Sequence, residues 1–134
     1  MKFQPDLPDS GNVITRREGG RVWINARALD YSVLVPWQGE VQPWGVAQFD
    51  DLAGTHFERI LALQPELVIF GSGERLRFAP PALWRALIER RIGFETMDTA
   101  AACRTFNVLS SERRAVVAAL LLQAPPKAMD AETL

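Results

Sequence analysis

The clearest pattern of apolar positions lies in the second half of the chain. Glu66-Leu-Val-Ile-Phe70 is apolar after its first residue, does not alternate, and closes on Gly71-Ser72-Gly73. An unbroken apolar run of this length, ended by glycines, predicts a central strand buried on both faces. Pro80 and Pro81 then suit a helix start, where no N–H is missed, and Leu83, Trp84, Leu87 and Ile88 form an apolar stripe to about Arg91, with Gly93 as the stop. Phe94-Glu-Thr-Met97 predicts the next strand, and Asp98 is a natural N-cap for a helix over Thr99 to Leu109. Strand, helix and strand joined by a right-handed crossover give a parallel pair. Ala115 to Leu122 is continuously apolar. Its valines fit a buried strand and its alanines a helix, so the pattern leaves both open, and strand is taken.

The first half is richer in β signals. Val13 to Glu18 and Arg21 to Asn25 flank Gly19-Gly20, a hairpin signal, with Val22 and Ile24 on one face. Tyr31 to Val35 predicts a third strand that stops at Pro36. Pro36 to Gln48 has the glycines, prolines and tryptophans of an ordered loop, with Trp44 expected as a lid over the core. Thr55 and Glu58 have the spacing of a capping box, which predicts an amphipathic segment over Thr55 to Gln64 carrying Phe57, Ile60 and Leu61 inward and ending at Pro65. His56 falls on its first turn, where a solvated or capping role is expected. Residues 1–11 are expected to be a loose arm, 12–122 a single α/β domain, and 123–134 a frayed tail.

Composition narrows the classes of partner. A chain of 134 residues with 48% apolar residues can build one core without disulfides or metal. Fifteen basic and 16 acidic residues, for a net charge of −1, are spread along the chain. That leaves no electrostatic footprint for nucleic acid or an anionic membrane. Cys103 is the only cysteine, so no intrachain disulfide can form and a reducing compartment is expected. Met1 to Asn12 lacks the basic start and apolar run of a secretion signal, and no stretch approaches the roughly 20 apolar residues of a membrane span. The expectation is a cytoplasmic protein.

Candidate chemistry is sparse. A buried strand ending in Gly71-Ser72-Gly73, then a helix and a second strand ending in Asp98, has the outline of a dinucleotide site. The spacing opposes it, because a phosphate cradle needs the glycine turn to open directly into a helix N-terminus, whereas Glu74 to Ala79 intervene and Leu76 replaces the third glycine. A tight turn is the expected use of these glycines. Thr99, Cys103 and Asn107 recur every four residues and share one helix face. A nucleophilic thiol needs an activating base or cation, and with the only histidine far away in sequence Cys103 is expected to be a small buried hydrophobe. Glu112, Arg113 and Arg114 suit an ion pair that steadies a turn. An anion site made from Arg104, Arg113 and the Gly71 to Gly73 turn stays open as an alternative. No cofactor or metal is implied.

Taken together, Leu67-Val-Ile-Phe-Gly-Ser-Gly73, Gly93-Phe-Glu-Thr-Met-Asp-Thr99 and Thr105-Phe-Asn-Val-Leu-x-x-Glu112-x-Arg114 resemble a known family. It is the small α/β domain shared by mitochondrial complex I assembly factor 3, an adipogenesis-associated protein and many short bacterial and archaeal proteins. The resemblance is strongest from Glu66 to Leu122. It implies a three-layer α/β fold with a central mixed sheet, mostly parallel with the last strand antiparallel to its neighbours, flanking helices and an N-terminal β-hairpin layer. It places the family's recurrent positions on Gly71, Gly73, Asp98, Thr99, Asn107, Glu112 and Arg114, and it implies protein partners rather than an enzymatic activity. Two functional expectations follow. One is a non-enzymatic interaction or assembly-type protein; the other is a small-molecule binder, anion binder or enzyme using a cleft formed by Gly71, Ser72, Gly73, Asp98 and Thr99, since open α/β sheets bind ligands beyond strand C-termini.

Overall fold

The computed structural model describes residues 11–122; apart from Gly11, the expected N-terminal arm and C-terminal tail lie outside the described residues. The strands are β1 (Ile14–Glu18), β2 (Arg21–Ile24), β3 (Arg27–Leu29), β4 (Val33–Pro36), β5 (Gln42–Pro43), β6 (Leu67–Gly71), β7 (Gly93–Met97) and β8 (Val116–Leu120). The α-helices are α1 (Gly54–Glu58), α2 (Arg85–Glu89) and α3 (Thr99–Ser111). β1, β2 and β3 make a small antiparallel sheet, and the other five strands make a mixed sheet in the order β5-β4-β8-β6-β7.

The middle of the mixed sheet explains the unbroken apolar runs. β6 and β8 pair in parallel, from Leu67 opposite Val116 to Gly71 opposite Leu120. Alternate side chains of each strand enter different cores, because successive residues of a strand point to opposite faces. Ile69, Val116, Ala118 and Leu120 pack with Phe106 and Cys103 of α3 and with Val22 and Ile24 of the small sheet. Val68, Phe70, Val117 and Ala119 pack on the other side with Trp44, Phe57 and Leu87. Neither strand has a solvent face, so neither carries an alternating polar residue. Within Ala115 to Leu122 the strand is Val116–Leu120, and its two alanines face opposite cores, Ala118 on the α3 side and Ala119 on the aromatic side.

The crossovers set the layers. β6 leads through α2 to β7 on one side of it, and β7 leads back through α3 to β8 on the other side. Because the two connections step in opposite directions, the same handedness puts α2 and α3 on opposite faces of the sheet. The result is α1 and α2, the mixed sheet, and then α3 beside the small sheet. One expected detail is corrected. The last strand is antiparallel to β4 only and runs parallel to β6. The physical reason is that α3 carries the chain back to the sheet end where β6 and β7 begin, so β8 must run in their direction. The reversed strand is β4.

The hairpin layer has three strands rather than two. Gly19, at φ 61, occupies the first central position of the β1–β2 turn, as a type II′ turn requires. β3 was not anticipated. Its turn uses Asn25 and Ala26 at φ 52 and 75, and alanine in the left-handed region is a weak sequence signal. A bulge follows Ile14, where the register moves from Ile14 opposite Ile24 to Arg16 opposite Trp23. Asn107 of α3 holds that bulge: its Oδ1 accepts the Ile14 N–H at 2.9 Å, and its Nδ2 donates to the Ile14 carbonyl at 2.8 Å. The side-chain amide thus supplies the two bonds that a neighbouring strand would supply.

The opposite core is aromatic. Trp44 is fully buried, so it is a core residue rather than a lid, and its Nε1 donates to the His56 carbonyl at 2.9 Å. It meets Phe57 and Phe70 edge-on at 5.6 and 6.0 Å. α1 starts two residues earlier than the Thr55–Glu58 spacing predicts, with Ala53 rather than Thr55 at the N-cap. The side chain that closes its first turn is His56, whose Nδ1 accepts the Ala53 N–H at 2.9 Å. α2 also departs from expectation. Its run opens with a tighter 3-10 turn at Pro81–Trp84, which changes the helical phase, and Ile88 is left exposed. Its stop is Arg91 at φ 59, with the Ile92 N–H donating to Leu87 O and the Arg91 N–H to Ile88 O, a Schellman ending. Gly93 opens β7, where a Cβ would come within 2.9 Å of Leu67 Cδ1.

Replacing Asn107 by alanine removes both bonds to Ile14 and should cost about 1–3 kcal/mol. Urea denaturation measures this as a lower midpoint with an unchanged slope. A midpoint equal to wild type would show that Asn107 does not join the two layers.

Candidate functional site

The C-terminal ends of β6 and β7 form the place where an open α/β sheet can hold a ligand, since their connections leave on opposite faces. Here the groups at this junction bond one another. The Gly73 N–H donates to Thr99 Oγ1 at 2.9 Å, the Thr99 hydroxyl donates to the Leu121 carbonyl at 3.0 Å, and the Thr99 N–H donates to Gly73 O at 2.9 Å. The Ser72 N–H reaches Met97 O, and the Leu121 N–H reaches Gly71 O. Ser72 and Thr99 are buried. The glycines fit this closure. Gly73 has φ 109, which side chains rarely adopt, and a Cβ on Gly71 would lie 3.0 Å from Leu120 Cδ2 and 3.1 Å from both Ala102 Cβ and Thr99 Cα. α3 therefore rests directly on the end of β6. Asp98 caps it, accepting the Ala101 N–H at 2.8 Å.

The remaining sequence-predicted residues lie elsewhere. Asn107 is spent on Ile14. Glu112 is the exposed C-cap of α3. Arg114 donates to the Glu66 carboxylate at 2.7 Å, and Glu66 also accepts the Ala115 N–H. This clamp joins the starts of β6 and β8, and the Arg114 bond is the first cause of a Glu66 pKa below the usual carboxylate value. Arg113, at φ 63, ends α3 in a second Schellman motif, with its N–H on Ser110 O and that of Arg114 on Leu109 O. Arg104 and Arg113 are nine residues apart, ~13 Å along the helix. Arg113 is therefore remote from the glycine turn, and no joint site with Arg104 forms.

Cys103 is buried at 6% exposure. Burial pushes its thiol up to about 11, against the opposing pull of the Arg17 and Arg104 charges. A thiol at that value stays protonated near neutrality and is a poor nucleophile.

Two surface features stand out, of which sequence reasoning anticipated only that Cys103 and Asn107 share a helix face able to line a pocket. The first is the segment between Gly73 and Pro80. Ser72 Oγ donates to Arg75 O at 2.8 Å and accepts the Arg77 N–H at 3.0 Å. The Arg77 guanidinium lies 4.2 Å over the Phe49 ring and pairs with Asp50 at 3.2 Å. Trp84 Nε1 bonds Ala79 O at 3.2 Å. With Arg77 drawn inward, its neighbours turn out: Leu76 is 52% and Phe78 69% exposed. The second is a groove of about 310 Å³ between β1 and α3. The alternation of apolar and arginine residues in Leu76-Arg77-Phe78 was the available signal for the first; the second depends on a bulge that no local pattern reveals.

The fold defines a three-layer α/β domain with a closed switch point. The chain belongs to the family described as "Protein of unknown function (DUF498/DUF598)", whose profile matches residues 14–121. It is 37% identical over 97 residues to NADH dehydrogenase [ubiquinone] 1 alpha subcomplex assembly factor 3 of Bos taurus, covering 71% of this chain and 52% of that protein. The chain thus spans about half the length of this relative. A crystal structure of a Bordetella parapertussis protein superimposes with a TM-score of 0.80 at 32% identity, covering 84% of this chain and 97% of that one. A Bordetella pertussis protein described as a Mth938-like domain gives 0.79 at 25% identity, covering 97% and 98%. Among the described residues, no helix is long and apolar enough to cross a membrane.

Thr99→Val keeps the shape of the side chain but leaves the Gly73 N–H and the Leu121 carbonyl without their partner. It should cost roughly 2–4 kcal/mol, whereas Thr99→Ser should stay within about 1.5 kcal/mol of wild type. Equal stability of the two variants in urea would contradict the structural role. The Cys103 thiol gives a pH signature. Its pKa is raised from 9.0 unfolded to about 11 folded, so the folded state binds the extra proton between those values. The contribution is whole below about pH 9 and is lost as pH rises toward 11. Melting curves of Cys103→Ala should therefore lack part of the alkaline loss seen in wild type.

Proposed function

We propose that this domain works as a non-enzymatic protein-interaction module of the assembly-factor type, presenting the Leu76–Phe78 tip to its partner. The observation that carries this reading is the exposure of two large apolar side chains on a segment tied down at both ends. An exposed aromatic on a flexible loop pays an ordering entropy on binding, whereas one held by hydrogen bonds, an ion pair and a cation–π contact is already in place. Large, rigid aromatic side chains are the usual centres of binding energy at interfaces.

Two further observations support it. The hydroxyls of Ser72 and Thr99, at the place where a ligand-binding α/β sheet would use them, are engaged with backbone groups of the protein itself, Ser72 with Arg75 O and the Arg77 N–H, Thr99 with the Gly73 N–H and Leu121 O. The Bos taurus relative is named as an assembly factor of the NADH dehydrogenase 1 alpha subcomplex, and this chain matches about half of it. The reading carried over is that class of role, with partners suited to this chain's own surface.

The test is capture of partners from native lysate on the immobilised full chain, beside the double variant Leu76→Ser, Phe78→Ser. Both positions are more than half exposed, so the melting temperature should stay near wild type while the captured partner is lost. Equal capture by the variant would move the interface elsewhere. Repeated capture of nothing stable by wild type, together with a melting temperature raised by a nucleotide or small acid and insensitive to Leu76 and Phe78, would favour the small-molecule reading instead.

A further inference from the structure

The bulge in β1 decides where two arginines point. From Ile14 to Arg16 the first strand advances two residues while its partner advances one, from Ile24 to Trp23. Arg16 therefore lies outward beside Trp23, its guanidinium 4.6 Å over the indole. Arg17 falls opposite Val22, which is fully buried, and so takes a core-facing position at the end of the small sheet. Its side chain is only 27% exposed. An arginine on the core side of a sheet is costly unless something there receives its charge.

What it faces is α3. Ala100, Cys103, Arg104 and Asn107 share one stripe of that helix, and they line the groove of about 310 Å³ together with Arg17 and the bulge residue Thr15. Arg104 is exposed and has no salt bridge among the described residues. Nearby carboxylates do little to balance the pair. Glu74 meets Arg17 at 3.5 Å but is 67% exposed, Glu18 is engaged by Arg16, and Asp98 is engaged as the N-cap of α3. Both Arg17 and Arg104 lie near enough to the buried Cys103 thiol to oppose the effect of its burial. The same helix also sets the geometry, since Asn107 holds the bulge that turns Arg17 inward.

We propose that this groove binds a small oxyanion, a phosphate or carboxylate group, between the guanidinium groups of Arg17 and Arg104. Two like charges from different layers aimed into one concavity repel, and an anion between them converts that repulsion into two charge-assisted attractions. Planar guanidinium forks match the oxygen geometry of both anion classes. Cys103 forms the floor as an uncharged wall. The site is separate from the Leu76–Phe78 tip and does not depend on its role.

The test is a titration of the isotope-labelled full chain with inorganic phosphate, and separately with succinate, at constant ionic strength set by sodium chloride, followed by amide NMR. Saturable shifts at Arg17, Cys103 and Arg104 are expected. Arg104→Ala should weaken binding by at least about tenfold, Arg17→Gln similarly, and Arg113→Ala at the far end of α3 should leave it unchanged. Phosphate and succinate are distinguished by which of them saturates at the lower concentration. Shifts that never saturate, or affinities unaltered in Arg104→Ala, would overturn the site. Arg104 is exposed, so that variant decides the matter even if Arg17→Gln is unstable.

Discussion

Burial of the β6–β8 pair on both faces is the constraint from which the rest of this structure follows. A parallel pair with no solvent face needs a cover on each side, and the chain supplies two of different kinds. One is α1, α2 and the aromatic set around Trp44 and Phe57; the other is α3 with the small sheet laid beside it. The opposite-facing crossovers that make the pair parallel are what distribute those covers. β4 can then join β8 only from its remaining edge, and it does so antiparallel. Each layer is thus held by a strand pair that it also shields.

The same economy governs the junction at the ends of β6 and β7. In an open α/β sheet this is where free N–H groups and a helix N-terminus can meet a ligand. In this domain the Thr99 hydroxyl receives one of those N–H groups and passes its own proton toward Leu121 O, while Gly71 lets α3 settle onto the strand. Side chains that outline a binding cleft in sequence become the lock between α3 and the sheet. The exposed side chains of Leu76 and Phe78 and the groove lined by Arg17 and Arg104 lie outside this lock. The two surfaces differ in kind: one is apolar and projecting, the other cationic and concave.

Arginine has several structural uses here. Arg91 and Arg113 end helices in the left-handed conformation, a position that glycine usually fills. Arg114 closes a clamp on Glu66, Arg59 donates to the carbonyls of Trp44 and Pro43, and Arg77 covers Phe49. A chain with few lysines thus uses guanidinium groups for capping, clamping and covering. Arg104 has none of these duties among the described residues, as is also true of Arg21, Arg75 and Arg85.

Local pattern alone determined the strands at Glu66 to Phe70 and Phe94 to Met97, the Asp98 cap and the first hairpin, because each depends on contacts within a few residues or on burial of one contiguous run. The spacing from the glycine turn to the next helix, which opposes a phosphate cradle there, is equally local. Strand direction in β8, the third strand of the small sheet, the burial of Trp44 and the exposure of Ile88 were decided by tertiary structure. Each depends on which layer covers which, or on a 3-10 turn that shifts helical phase. Family resemblance pointed to Asn107, Thr99 and Arg114 but could not tell a pocket from a lock, because the same polar groups serve either purpose. Only the fold, by bringing Ile14, Gly73 and Glu66 within bonding distance, decided that these side chains bond across elements; and only the β1 bulge, bonded by Asn107, put Arg17 and Arg104 on the lining of one groove.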